Sequence, residues 1–114
     1  MGLLERLRRH RPITPAAAAA GVEAGDLLLV DVREASEFAS GHAPGARHVP
    51  LSRVADAMSD LAQSGQPIAF ICRSGARSAV ATRRARASGL DAVNVRGGML
   101  AWERAGLTTR SGRR

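Results

Sequence analysis

Two short runs, residues 27–30 (Leu-Leu-Leu-Val) and 68–71 (Ile-Ala-Phe-Ile), constrain the fold of this chain more than any other feature. Neither alternates apolar with polar positions, so each would present hydrophobic side chains on both faces, as strands do when helices cover a sheet above and below. Around them, apolar runs alternate with amphipathic or small-residue stretches, the pattern of a parallel sheet built from βαβ units. The pattern predicts strands over 11–13, 27–32, 46–48, 67–72 and 92–95, and helices over 14–20, 35–40, 53–63, 77–88 and 99–105. Thr14-Pro15 reads as an N-cap followed by the first helical residue. Gly65, Gly89 and Gly106 each follow a helix-like run, where a left-handed C-cap favours glycine. The expected fold is α/β, with a central, mainly parallel, five-stranded sheet.

At 114 residues and 45% hydrophobic, the chain can bury one core and not two. Residues 11–106 read as the domain, 1–10 as a flexible basic segment and 107–114 as a basic tail. The net charge is +7, and all 17 basic residues are arginine. Most of the clustering is at the two ends, and only Arg83, Arg84 and Arg86 gather inside. With two Phe, one Trp and no Tyr there is little to stack on bases, so nucleic-acid binding is not expected. The charge would instead draw anionic substrates toward the protein.

No apolar stretch approaches the roughly 20 residues that span a bilayer. The alanines at 16–20 behind a basic start are too weakly hydrophobic for a secretory signal, and Arg6 stands where N-myristoylation requires Ser or Thr. The expectation is a cytoplasmic protein with no membrane partner, and a single unpaired cysteine suits a reducing compartment. That cysteine and the three histidines, His10, His42 and His48, have no ligand spacing, so neither a metal nor a cofactor is expected.

Cys72 stands where Pro67-Ile68-Ala69-Phe70-Ile71 meets Arg73-Ser74-Gly75-Ala76-Arg77-Ser78, just before a helix-like stretch. A free thiol with a pKa of about 8.5 is mostly protonated at neutral pH, and only the thiolate is a nucleophile. Arg73 and Arg77 supply positive charge, the following helix turns its N-terminal amides toward the loop, and Ser74-Gly75-Ala76 is small enough for N–H groups to converge. This is an anion cradle around a sulfur atom. The alternative, a structural cysteine at the end of a core strand, does not account for two arginines within five residues. Ligands of such sheets bind beyond the carboxyl ends of the strands, and both Cys72 and Asp31 fall there.

Four segments in order resemble the rhodanese-like sulfurtransferases: Asp31-Val32-Arg33-Glu34 with Glu37-Phe38; Gly41-His42-Ala43-Pro44-Gly45-Ala46; the loop Cys72-Arg73-Ser74-Gly75-Ala76-Arg77-Ser78; and Gly97-Gly98-Met99-Leu100-Ala101-Trp102. The resemblance spans about residues 13–105 and implies a three-layer α/β/α domain. It also implies an activity. Cys72 would take the outer sulfur of a small anionic donor such as thiosulfate, expelling sulfite, and pass it from a persulfide to cyanide or a thiol, a protein thiol included, with ping-pong kinetics. Amides from Ser74 to Ser78 would hold the persulfide, with Arg77 the better candidate than Arg73 for direct contact with the donor. With no second cysteine, the sulfur must leave to an external nucleophile.

Asp31 and Arg33 lie on one side of an extended segment, where either could reach the mouth of the site. The favoured reading is a structural ion pair, with Glu37 a candidate partner for Arg33, because half-buried charges must be paired. His42 is read as bracing a turn through a ring hydrogen bond, and Trp102 as core packing of the last helix. A sulfur relay between protein partners is the main alternative function. The cysteine phosphatases and arsenate reductases of similar architecture need Cys-x5-Arg, whereas here the arginine comes one place early.

Overall fold

A computed structural model describes residues 2–113; Met1 and Arg114, the outermost residues of the two basic segments, lie outside the described residues. Strands β1 (Leu28–Asp31), β2 (Arg47–His48), β3 (Ile68–Ile71) and β4 (Ala92–Asn94) form one parallel sheet in the order β2-β1-β3-β4. In register, Asp31 stands opposite His48 on one side and Ile71 on the other, and Ile68 stands opposite Ala92. Helices α1 (Leu3–Arg8), α2 (Pro15–Ala24), α3 (Ala35–Ser40), α4 (Val54–Gln63), α5 (Ala76–Ala87) and α6 (Gly98–Arg104) complete the chain, with a 3₁₀ turn at Leu51–Arg53.

The period of two along each strand sorts the core. Leu29, Ala69, Ile71 and Val93 pack with Ala18, Met99 and Trp102 on one side. Val30, Ile68, Phe70 and Ala92 pack with Val54, Leu61, Ala81 and Ala85 on the other. Helices α2 and α6 thus cover one face and α4 and α5 the other, giving three layers. Burial of Leu29 and Phe70 stabilises the fold by roughly 1.5–3 kcal/mol each. Trp102 is core packing, as expected, and its Nε1 donates to Thr108 O at 2.9 Å.

The sheet has four strands, not five. The strand expected over 11–13 is reduced to one parallel bridge between Ile13 and Val95. Ile13 N donates to Asn94 O and Ile13 O accepts from Arg96 N. Pro12 has no N–H to extend the ladder, and Thr14 already caps α2 by accepting from Ala17 N at 3.1 Å. The helix that begins at Pro15 runs to Ala24, four residues past its expected end, and stops at the left-handed Gly25. Gly65, Gly89 and Gly106 have the positive φ expected of them, 68°, 86° and 73°.

Both ends carry local structure of their own. Residues 3–8 form a helix whose Leu7 is only 5% exposed, with Leu3 packed one turn away against the same core. An i, i+4 leucine pair is enough to anchor one turn of helix, and the surrounding arginines hide it in the composition. Arg86 of α5 donates to Ala92 O at 2.9 Å and to His10 O, so one member of the internal arginine cluster is a strut. At the other end Leu107 packs on the core, and His42 and Arg110 exchange two backbone hydrogen bonds at 2.8 Å. No helix among the described residues is long and apolar enough to cross a membrane.

Candidate functional site

The strand order places the site. From β1 the chain goes one way to β2, while β3 and β4 lie on the other side, so β1 and β3 flank the point where the order reverses and a crevice opens beyond their carboxyl ends. Asp31 closes β1, and Cys72 follows β3 directly.

The four-residue turn from Cys72 into α5 ends at the helix N-cap, Gly75, whose φ of 114° is a conformation that side chains other than glycine rarely adopt. This turns donors onto the sulfur. Gly75 N donates to Cys72 Sγ at 3.1 Å, and the Ser78 hydroxyl lies at 3.2 Å. Burial, with Cys72 only 1% exposed, pushes the thiol up. The Ser78 hydroxyl and the amides of Ser78, Gly75 and Ser74 together outweigh it, so the thiol ionises below its ordinary value. From behind, α6 holds the carbonyls of the same turn: Met99 N donates to Cys72 O at 2.8 Å and Leu100 N to Arg73 O at 3.0 Å. Only glycine fits at Gly98, because a Cβ there would stand 2.4 Å from Cys72 O and 2.5 Å from Arg73 O.

The arginines are arranged differently from the sequence reading. Arg77 donates both Nη atoms to Glu37 of α3, at 2.7 and 2.9 Å, and so ties α5 to α3, while its charge still acts on Cys72. Glu37 is thereby taken from Arg33. The Arg33 guanidinium instead grips Asp31, with Nη2 to Oδ2 at 2.8 Å and Nε to Oδ1 at 3.0 Å, while Nη2 also donates to Gly41 O. Asp31 is fully buried, and its pair with Arg33 is the structural ion pair expected, with a different partner from the one suggested. Arg73 is exposed and lines a cavity of about 270 Å³ with Arg33, Glu37, Ser40, Gly41 and Glu103. Ser74 and Ala76 are exposed on the loop. His42 braces its turn as expected, Nδ1 donating to Phe38 O at 2.7 Å while the ring stacks on Phe38.

Glu37 makes acid stability a readout of the α3–α5 tie. The Arg77 guanidinium holds its carboxyl down at about 2, against the opposing pull of burial and with help from the Glu34 amide. An unfolded glutamate titrates at about 4.5, so this stabilisation is complete above that pH and is lost as pH falls toward 2. The side chains of Arg77 and Glu37 are 35% and 30% exposed, and screening limits the effect to about 1 kcal/mol. Thermal melts should therefore show wild type losing about that much more stability than Glu37→Gln between about pH 5 and about pH 2. Parallel pH profiles for the two proteins would mean that the tie contributes nothing.

One site residue was missed in the sequence. Asn94, at the carboxyl end of β4, donates from Nδ2 to Gly75 O at 3.0 Å and accepts from Ser78 at Oδ1 at 2.6 Å. A polar residue closing an apolar strand was the available signal, the same one that singled out Asp31; extending the strand through Val95 concealed it.

The rhodanese-like domain model matches residues 14–105. The chain belongs to the rhodanese-like family. It is 39% identical over 94 residues to YtwF of Bacillus subtilis, provisionally named a sulfurtransferase, covering 82% of this chain and 90% of that one. It is 39% identical over 77 residues to YrkF of the same organism, provisionally named a sulfur carrier protein, covering 67% of this chain but only 41% of that longer protein. Among solved structures, a rhodanese-related protein from Thermoplasma volcanium superposes with a TM-score of 0.80 at 28% identity, covering 88% of this chain and 97% of that one. This rhodanese-like domain is thus related to both sulfurtransferases and sulfur carriers.

Proposed function

We propose that this rhodanese-like domain is a sulfurtransferase in which the Cys72 thiolate attacks the outer sulfur of thiosulfate or a similar donor. The S–S bond of the donor breaks and sulfite leaves with the electron pair. The resulting persulfide gives its terminal sulfur to cyanide or a thiol, which restores the thiolate. The observation that carries this reading is the convergence of Gly75 N–H and the Ser78 hydroxyl on Cys72 Sγ, with further amides behind them. Donors arranged around sulfur favour an anion there in each state of the cycle. A single thiol that must return to its reduced form suits the cytoplasm.

A relay that receives sulfur from a protein donor is the second reading. It is favoured by the engagement of Arg77 with Glu37, which sets a carboxylate on the Nη atoms that a small dianion would use. Intact mass separates the two. Reduced protein incubated with thiosulfate should gain one sulfur, and cyanide should remove it. A gain only from a persulfidated protein would favour the relay, and no gain from either donor would overturn both readings.

A further inference from the structure

Ser78 has one hydroxyl hydrogen, and three acceptors lie within its reach: Asn94 Oδ1 at 2.6 Å, Cys72 Sγ at 3.2 Å and Gly75 O at 3.3 Å. The orientation of the Asn94 amide is fixed by its other bond. Nδ2 donates to Gly75 O at 3.0 Å, and a flipped amide would set two acceptor oxygens against each other at that distance. Oδ1 therefore meets Ser78 as an acceptor only.

We propose that Asn94 is a positioning residue that sets the protonation balance of Cys72, holding the Ser78 hydrogen while the sulfur is a thiol and giving it up when the sulfur becomes an anion. In the thiol state the S–H of Cys72 points at a lone pair of Ser78 Oγ, and the Ser78 O–H points at Asn94 Oδ1. On ionisation the S–H bond breaks, the electron pair stays on sulfur and the proton passes to bulk water. The Ser78 hydroxyl then rotates to donate to Sγ, alongside the Gly75 amide, and Asn94 Oδ1 loses its partner. Asn94 thus gives the thiol a hydrogen bond that the anion lacks and works against the loop amides. This keeps a share of the sulfur in its less oxidisable form, one hydroxyl rotation from the nucleophile. The purpose of the device rests on Cys72 being the sulfur-carrying nucleophile; its test does not.

Other charges bear on the same sulfur. Among those on the elements around it are Arg73 of the loop, Arg77 on α5, whose charge acts directly on the sulfur, Asp31 and Arg33 at the end of β1, Glu37 on α3, Arg53 ahead of α4, Arg96 beyond β4 and Glu103 on α6, with Arg83, Arg84 and Arg86 further along α5, Asp56 and Asp60 on α4, Arg47 and His48 on β2 and Arg104 at the end of α6. None of them changes in a cycle of substitutions at positions 78 and 94, so their fields cancel.

The experiment is a pH titration of thiolate ultraviolet absorbance, unambiguous because Cys72 is the only cysteine. It is run on wild type, Asn94→Leu, Ser78→Ala and the double variant, with Trp102 fluorescence reporting the fold. Leucine keeps the branched shape of asparagine and removes both hydrogen-bonding atoms; Asn94→Ala is the second variant, and its titration must shift the same way. Asn94→Leu should lower the Cys72 pKa by about half a unit to one unit, the equivalent of one hydrogen bond. Ser78→Ala should raise it, and Asn94→Leu should add nothing in the Ser78→Ala background. An Asn94 effect of equal size in both backgrounds, a rise or no change would overturn the proposal. The titration uses no sulfur donor, so its failure and a failure of sulfur transfer are read separately.

Discussion

Cys72→Ser should gain no sulfur from thiosulfate, and its turnover should fall at least about a thousandfold. The loop has donors around the nucleophile, Gly75 N–H and the Ser78 hydroxyl, and these favour an anion already formed. They cannot create one from an alcohol, which ionises far above the range of a thiol. Serine is smaller than cysteine and keeps the same two donors satisfied, so the variant should melt within about 1–2 kcal/mol of wild type. Sulfur gain or turnover retained in a folded Cys72→Ser protein would remove Cys72 from the mechanism. Intact mass and steady-state assay together make the test.

Arg33→Ala should cost about 3–5 kcal/mol, a large part of the roughly 5–15 kcal/mol that holds an ordinary domain together. Asp31 is fully buried, and the Arg33 guanidinium satisfies both its carboxylate oxygens, with the Arg33 backbone N–H as a further donor to Oδ1. Truncating Arg33 strands that carboxylate between β2 and β3 and also frees Gly41 O at the end of α3. Removing both charges, in Arg33→Met with Asp31→Leu, should recover much of the loss, because the cost lies in the unpaired charge rather than in the absence of the pair. Urea unfolding of the single and double variants gives the comparison. A single variant with the wild-type midpoint would mean that water or a neighbour replaces the guanidinium. Because Asp31 stands opposite Ile71, the residue before Cys72, sulfur transfer should weaken along with stability.

The strands around the site were legible because their signal is local. The apolar runs at 27–30 and 68–71 became β1 and β3 almost to the residue, and α3 runs over 35–40 as read. The segment at 11–13 was misjudged for an equally local reason, since Pro12 denies the ladder a donor. The N-terminal helix escaped notice because Leu3 and Leu7 are outnumbered by arginines, and only the surface they meet shows that they are buried.

What the sequence determined by itself was the layered α/β fold, the position of Cys72 at a strand-to-helix turn, and a loop small enough to aim amides at its sulfur. These follow from periodicity, turn chemistry and the sterics of neighbouring residues, all of which act over a few positions. Tertiary structure alone decided the partners of the charged and polar side chains. Arg77 meets Glu37 across 40 positions of sequence and Asn94 reaches Gly75 across 19, while Arg33 takes the Asp31 beside it. A long side chain pairs with whatever the packed elements bring within reach, and separation along the chain carries no record of that distance.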